Sequence, residues 1–190
     1  MTRRILLALA ITVASSLAYA QSDDALAGGE VFVTSEPVAG SEVPRFIVTA
    51  VVDAPPAKVF EVVANCARLT ERMPRVASAE YVSRTKTGAR CKVTLDMPFP
   101  LSNLTAITQD RRKESPDIWY RKWTLVEGDY HVNDGSFVLV PFQGDANRTL
   151  VTYSIHAIPK TAVPDFLRER AQRSSLPDMI ERIRKEVLKL

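Results

Sequence analysis

The sequence predicts an α+β fold in which a large, curved antiparallel sheet grips one long C-terminal helix. Three observations carry this. Between Val76 and Ile158 nearly every segment alternates apolar and polar, or runs β-branched and apolar, as strands do. Short turns separate those segments, which makes neighbours antiparallel. The last stretch changes period: Leu176, Ile180, Ile183, Val187 and Leu190 follow at helical steps and form one apolar stripe. That stripe belongs to a helix read over Val163–Leu190, which also carries Phe166, Leu167 and Ala171 before a break at Ser174, Ser175 and Pro177. An amphipathic helix needs an apolar partner, and the sheet supplies it.

Residues 1–20 read as a secretory signal peptide. Arg3 and Arg4 precede an apolar core from Ile5 to Val13, and Ala18-Tyr19-Ala20 is a small-residue cleavage pattern. The protein is therefore expected to be exported, periplasmic in a bacterium and otherwise secreted. Cleavage removes two arginines and no acid from 25 basic and 22 acidic residues, leaving a net charge of about +1. Nothing in that balance draws the chain to nucleic acid. Residues 21–29 are small and polar, a flexible leader, and residues 30–190 make one domain.

Glu30–Thr34 is a short strand and Arg45–Val52 a β-branched one. Asp53-Ala54-Pro55-Pro56 starts a helix through about Asn65, since proline is tolerated in a first helical turn. A second short helix runs from Ala67 to Met73 and stops before Pro74. Strands follow at Val76–Thr85, Cys91–Met97, Leu104–Asp110 and Ile118–Val126. Gly128-Asp129 and Asn133-Asp134-Gly135 are read as a loop containing His131. Phe137–Phe142 and Thr149–Ile158, joined through residues 143–147, complete about six strands after the helices.

Few residues single out chemistry. His156 is placed on the outer face of the last strand, towards solvent, and His131 on the surface. No cluster of His, Cys or carboxylate has metal-ligand spacing, so neither metal nor cofactor is expected. Nucleophile-elbow, P-loop and dinucleotide patterns are missing from the sequence. Cys66 and Cys91 are either bridged or two small buried residues, a matter of geometry. Trp119, Arg121, Trp123 and Leu125 share a strand face. Either the tryptophans wall an apolar cavity where Arg121 meets an anionic or carbonyl head group, or Arg121 stacks on them at the surface. The opposite face, Ile118, Tyr120, Lys122, Thr124 and Val126, leaves the facing open.

Three stretches resemble a known family. They are Val51-Val52-Asp53-Ala54-Pro55-Pro56-Ala57-Lys58-Val59-Phe60-Glu61-Val62-Val63, then Gly135-Ser136-Phe137-Val138-Leu139-Val140-Pro141, then Thr149-Leu150-Val151-Thr152-Tyr153-Ser154-Ile155 with Pro159 and Pro164 leading to the last helix. The chain resembles the START-related helix-grip superfamily (SRPBCC), which includes START lipid-transfer domains, polyketide cyclases and dehydratases, and coenzyme Q-binding proteins. The resemblance implies a sheet of about seven strands, two short helices after an early strand, and an apolar cavity under the C-terminal helix. It implies that Cys91, Val93, Leu95, Met97, Trp119, Arg121, Trp123, Phe137, Leu139, Tyr153, Ile155, Phe166, Leu167 and Ile180 line that cavity.

The expected protein is thus a monomeric, exported binder of a hydrophobic small molecule, a lipid, isoprenoid or polyketide-like compound. The basic face of the last helix, with Arg168, Arg170, Arg182 and Lys185 among others, offers transient contact with a membrane surface. A cyclase or dehydratase of the same fold and an interaction domain with a filled core are the alternatives.

Overall fold

The computed structural model describes residues 23–99, 101–164 and 174–190. The described residues fall into two compact units, one ending at Glu30 and one running from Val31 to Leu190. In the first, residues 23–27 form a short helix that Gly28 and Gly29 end. Gly29 has φ 95°, the left-handed conformation that glycine supplies at helix ends.

The second unit holds strands β1 (Phe32–Glu36) and β2 (Arg45–Val52), then helix α1 (Pro56–Ala64), a 3-10 turn (Cys66–Arg68) and helix α2 (Leu69–Arg72). Six strands follow: β3 (Val76–Arg84), β4 (Ala89–Leu95), β5 (Leu104–Ser115), β6 (Ile118–Gly128), β7 (Tyr130–Phe142) and β8 (Asp145–Pro159). Helix α3 (Leu176–Val187) comes last. The eight strands among the described residues form one antiparallel sheet in the order β1-β2-β8-β7-β6-β5-β4-β3. The family resemblance implied about seven; the eighth is β1, added on the edge of β2.

Two expected connections are different in the structure. Asn133-Asp134-Gly135 is not a loop but part of β7, paired with Ile155–Ala157 of β8. Gly135 is there because Trp123 lies over it: a Cβ at that position would sit 2.2 Å from the indole and 2.6 Å from the Ser154 carbonyl oxygen. We expect Gly135→Ala to cost about 1–3 kcal/mol through overpacking. An unchanged denaturation midpoint would show that the indole is free to move aside. The link between β7 and β8 is also tighter than residues 143–147. It is a two-residue turn at Gln143 (φ 51°) and Gly144 (φ 81°), the left-handed pair that matches the twist of a hairpin.

The expected long C-terminal helix is described only in its second part. Thr161–Pro164 are not helical, and Phe166 and Leu167 lie outside the described residues. In α3, Ile180, Ile183 and Val187 are buried as the stripe requires, but the helix ends before Leu190, which is 43% exposed.

Helix α1 packs on β6, β7 and β8, and α3 packs on α1 and β2. Val59, Val62, Val63, Ile180 and Ile183 are completely enclosed there with Val48, Leu139 and Val151. Each such side chain contributes about 1.5–3 kcal/mol of hydrophobic stabilisation. Charge fixes what the apolar contacts place. Arg184 donates to the Val51 carbonyl through Nε (3.1 Å) and Nη2 (2.8 Å), and Arg72, itself buried, donates to the Glu61 carbonyl at 2.7 Å.

Candidate functional site

The inner face of the sheet divides into two halves. The first lies under α1 and α3 and is sealed. The second is formed by the inward positions of β4–β8 towards their other ends. Register places Val93 beside Ala106, Leu95 beside Leu104, Trp123 beside Gly135, Gly135 beside Ile155 and Asn133 beside Ala157. Leu104, Ala106 and Tyr130 form a small cluster there, with Met97, Leu125 and Ala157 packed against it. Val93, Leu95, Leu125, Tyr153, Ile155 and Ala157 face inward yet keep accessible surface. Inward apolar residues that keep solvent contact present a surface that a hydrophobic ligand can cover.

Between the halves sits a buried charge network. The Asp110 carboxylate is wholly enclosed and accepts from the Ala89 N–H at 2.6 Å. Arg112 donates to it through Nη2 at 2.8 Å and Nε at 3.1 Å, and Arg121 through Nε at 2.9 Å. Burial alone would raise the Asp110 carboxyl, but the Arg112 hydrogen bond and the Arg121 charge outweigh it and hold the group below its usual value. Arg121 also donates through Nη1 to the Val63 carbonyl at 2.9 Å and lies 5.1 Å over the Trp123 ring. Val63 is in the last turn of α1, whose carbonyls lack helical partners. No basic residue lies in that turn, so Arg121 and Arg72 cap the helix from outside it.

The facing of β6 left open by the sequence is thereby settled: Trp119, Arg121 and Trp123 point inward, and Arg121 is 7% exposed. Its guanidinium is engaged by protein. Of the other expected cavity residues, Trp119, Trp123, Phe137, Leu139, Tyr153, Ile155 and Ile180 join the main core, while Cys91 and Val93 sit in a separate cluster with Cys66 and Leu69. Met97 belongs to the open half, and Leu95 pairs between Val76 and Leu104. Cys91, Leu139 and Ile180 are fully enclosed and face no space. Cys66 and Cys91 are joined in a disulfide with Cα atoms 6.1 Å apart, tying the turn after α1 to β4.

The histidines depart from expectation. His131 is exposed but lies within β7. His156 is on the outer face as expected, but it is buried, not solvent-facing, with Nε2 3.2 Å from the Ser41 hydroxyl. That hydroxyl is also bonded to the Val43 backbone, which fixes the 37–43 connection beside β8.

Sequence reasoning missed Tyr130 and Asn133. Reading Asn133-Asp134-Gly135 as a loop cut β7 short, and a bulge between Tyr130 and Val132 breaks the alternation that would have counted back to Tyr130. Asp110 did carry a signal: Leu104, Ala106, Thr108 and Asp110 alternate on one face, which puts a carboxylate on an apolar surface.

A pocket of about 230 Å³ opens beside α1, lined by Phe60, Glu61, Tyr81, Arg84, Arg112 and Trp119 among others. Among the described residues, Trp119 is its only contributor from the expected cavity residues.

Comparison with known proteins agrees with this architecture. A STAR-related lipid transfer protein from Xanthomonas axonopodis superposes with a TM-score of 0.72 at 21% identity, over 83% of this chain and 93% of that one. Human StAR-related lipid transfer protein 5 gives 0.73 at 14% identity, over 97% and 98%. The Zhui aromatase/cyclase from Streptomyces gives 0.60 at 15% identity, over 84% and 95%. At these identities the likeness is one of fold. No curated protein matches the chain by sequence. The model of a family described as polyketide cyclase / dehydrase and lipid transport matches residues 52–184, from the end of β2 into α3. The chain belongs to that START-like family of hydrophobic-ligand-binding domains.

Proposed function

We propose that the protein is an exported carrier that holds one hydrophobic small molecule, a lipid, isoprenoid or polyketide-like compound, against the open half of its sheet. One observation carries this reading. Val93, Leu95, Leu125, Ile155 and Ala157 face inward and stay accessible, in a sheet whose other half is sealed. Such a surface gains about 0.8 kcal/mol for each methylene it takes from water, so a chain is held with few polar contacts. The neighbours named for lipid transfer support carriage. The signal-like residues 1–20 and the Cys66–Cys91 disulfide, a bond of oxidising compartments, support export.

Catalysis has less support on this surface. Asp110 is committed to two arginines, and His156 sits on the opposite face. Transient membrane contact is supported by Phe99, 96% exposed in the 96–103 connection between Met97 and Leu101. An aromatic side chain held out beside an apolar surface suits the interface of a bilayer.

The test is native mass spectrometry of protein purified from its exported fraction and again after incubation with a lipid extract. A stoichiometric hydrophobic adduct is expected, and Ala157→Trp should abolish it while leaving the fold intact. A protein that stays free of adduct in both preparations would sink carriage. In a vesicle-to-vesicle transfer assay, Phe99→Asp should slow delivery without reducing the amount bound; an unchanged rate would remove the membrane contact.

A further inference from the structure

The chemistry of the ligand's polar end follows from which polar groups on the inner face are still free. This step rests on the carrier reading and refines it. The cations beside this face are committed: half-buried Arg112 and buried Arg121 both bind Asp110, and Arg121 also holds the Val63 carbonyl. Two phenols are not committed. Tyr130 is 5% exposed and packs with Leu104, Ala106 and Ala157. Tyr153 lies against Phe137 and Trp123, with ring centroids 4.7 Å and 6.1 Å away. Among the described residues neither hydroxyl has a hydrogen-bond partner, and neither is sealed off, so each opens onto accessible space. Asn133 completes the set. Its Oδ1 accepts from the Trp123 indole N–H at 3.2 Å, which leaves its amide hydrogens to donate elsewhere.

All three groups are donors. Burial, with the Asp129 charge adding to it, pushes the Tyr130 phenol up to about 12, and burial raises Tyr153 as well, so both stay protonated near neutral pH. Asp129 beside Tyr130 disfavours an incoming anion, and the Arg121 charge that reaches Tyr153 is already paired with Asp110. We infer that the polar end of the ligand is a neutral hydrogen-bond acceptor, a carbonyl oxygen, received by the hydroxyls of Tyr153 and Tyr130 with the Asn133 amide beside them. A free carboxylate or phosphate would meet no uncommitted cation among these groups and would lose its hydration for little return. This replaces the expectation that Arg121 grips an anionic head group.

The probes are methyl tetradecanoate, tetradecanoate and tetradecane, equal in chain length and delivered from cyclodextrin, with binding read by tryptophan fluorescence. The ester should bind tighter than the carboxylate by about tenfold or more at neutral pH. Tyr153→Phe and Tyr130→Phe should each weaken the ester by about 3- to 10-fold and leave the alkane unchanged. Both variants keep the ring, and unaltered thermal midpoints would confirm that they fold. A carboxylate bound as tightly as the ester, or an ester unaffected by the double Phe variant, overturns the inference while the carrier reading stands. Failure of all three probes to bind overturns the carrier reading and this inference with it.

Discussion

Asp110→Ala should lower the stability of the protein by about 3–5 kcal/mol, the cost of leaving buried charges without their partner. The carboxylate joins four elements: β5, which carries it, β4 through the Ala89 N–H, β6 through Arg121, and α1 through the bond Arg121 makes to Val63. Without it, Arg121 keeps only a carbonyl and an aromatic face inside the protein. The pH dependence has a definite sign. The folded carboxyl is held below its ordinary value, so the unfolded chain binds the proton more readily. The stabilisation is complete above the unfolded carboxyl range near pH 4 and is lost as pH falls through the folded value. Urea titrations of wild type and variant between pH 3 and 7 should therefore diverge at neutral pH and converge in acid. A variant within about 1 kcal/mol of wild type at pH 7 would show that the arginines find water or another acceptor at no great cost.

Replacing both cysteines by alanine is the second large change. The bridge closes a separation of 25 residues, for which chain entropy gives about 3.5 kcal/mol. Both sulfurs are buried, Cys66 at 1% and Cys91 at 0% exposure, so the folded protein should resist reductants and alkylating agents alike. Intact-mass analysis should show no labelled thiol in native, unreduced protein and two after reduction in denaturant. Native labelling at both sites, or a double variant as stable as wild type, would mean that packing with Leu69 and Val93 holds this corner without the bond.

The elements legible in the sequence were those whose period is uninterrupted. Arg45 to Val52 and Pro56 to Ala64 could be read almost to the residue, because a β-branched run and a proline-started helix announce themselves locally. The β7 strand could not. Its Asn133-Asp134-Gly135 has turn chemistry, and only Trp123, reached across the sheet, explains why a glycine is needed in mid-strand. The same holds for the site. The inward facing of Trp119 and Trp123 and the burial of Arg121 could not be read from alternation, because Ile118, Tyr120 and Val126 make the opposite face of β6 apolar as well. Nor could what Arg121 does there, because its partners Asp110 and Val63 stand 11 and 58 residues away in sequence. Tyr130 was hidden by a bulge, which sets a side chain's direction without leaving a mark in the residue pattern. Cavities raise the same difficulty: Leu139 and Ile155 are both inward aliphatics, and only the helices above them decide that one is sealed and the other accessible.

The strand order has a bearing on how the chain is made. Strands β3 to β7 each pair with their immediate successor and can zip up hairpin by hairpin, but β2 pairs with β8, some hundred residues later. Emerging N-terminus first, residues 45–52 are a β-branched, hydrophobic edge whose partner on the β8 side has yet to be synthesised. The α1 helix, whose floor includes β8, is in the same position. Long-range pairing of this kind is slow, and the unpaired strand is prone to aggregate while it waits. We expect the nascent chain to need holding until almost its last residues appear, and a chain shortened to end before β8 to lose the order of β2 and α1 as well.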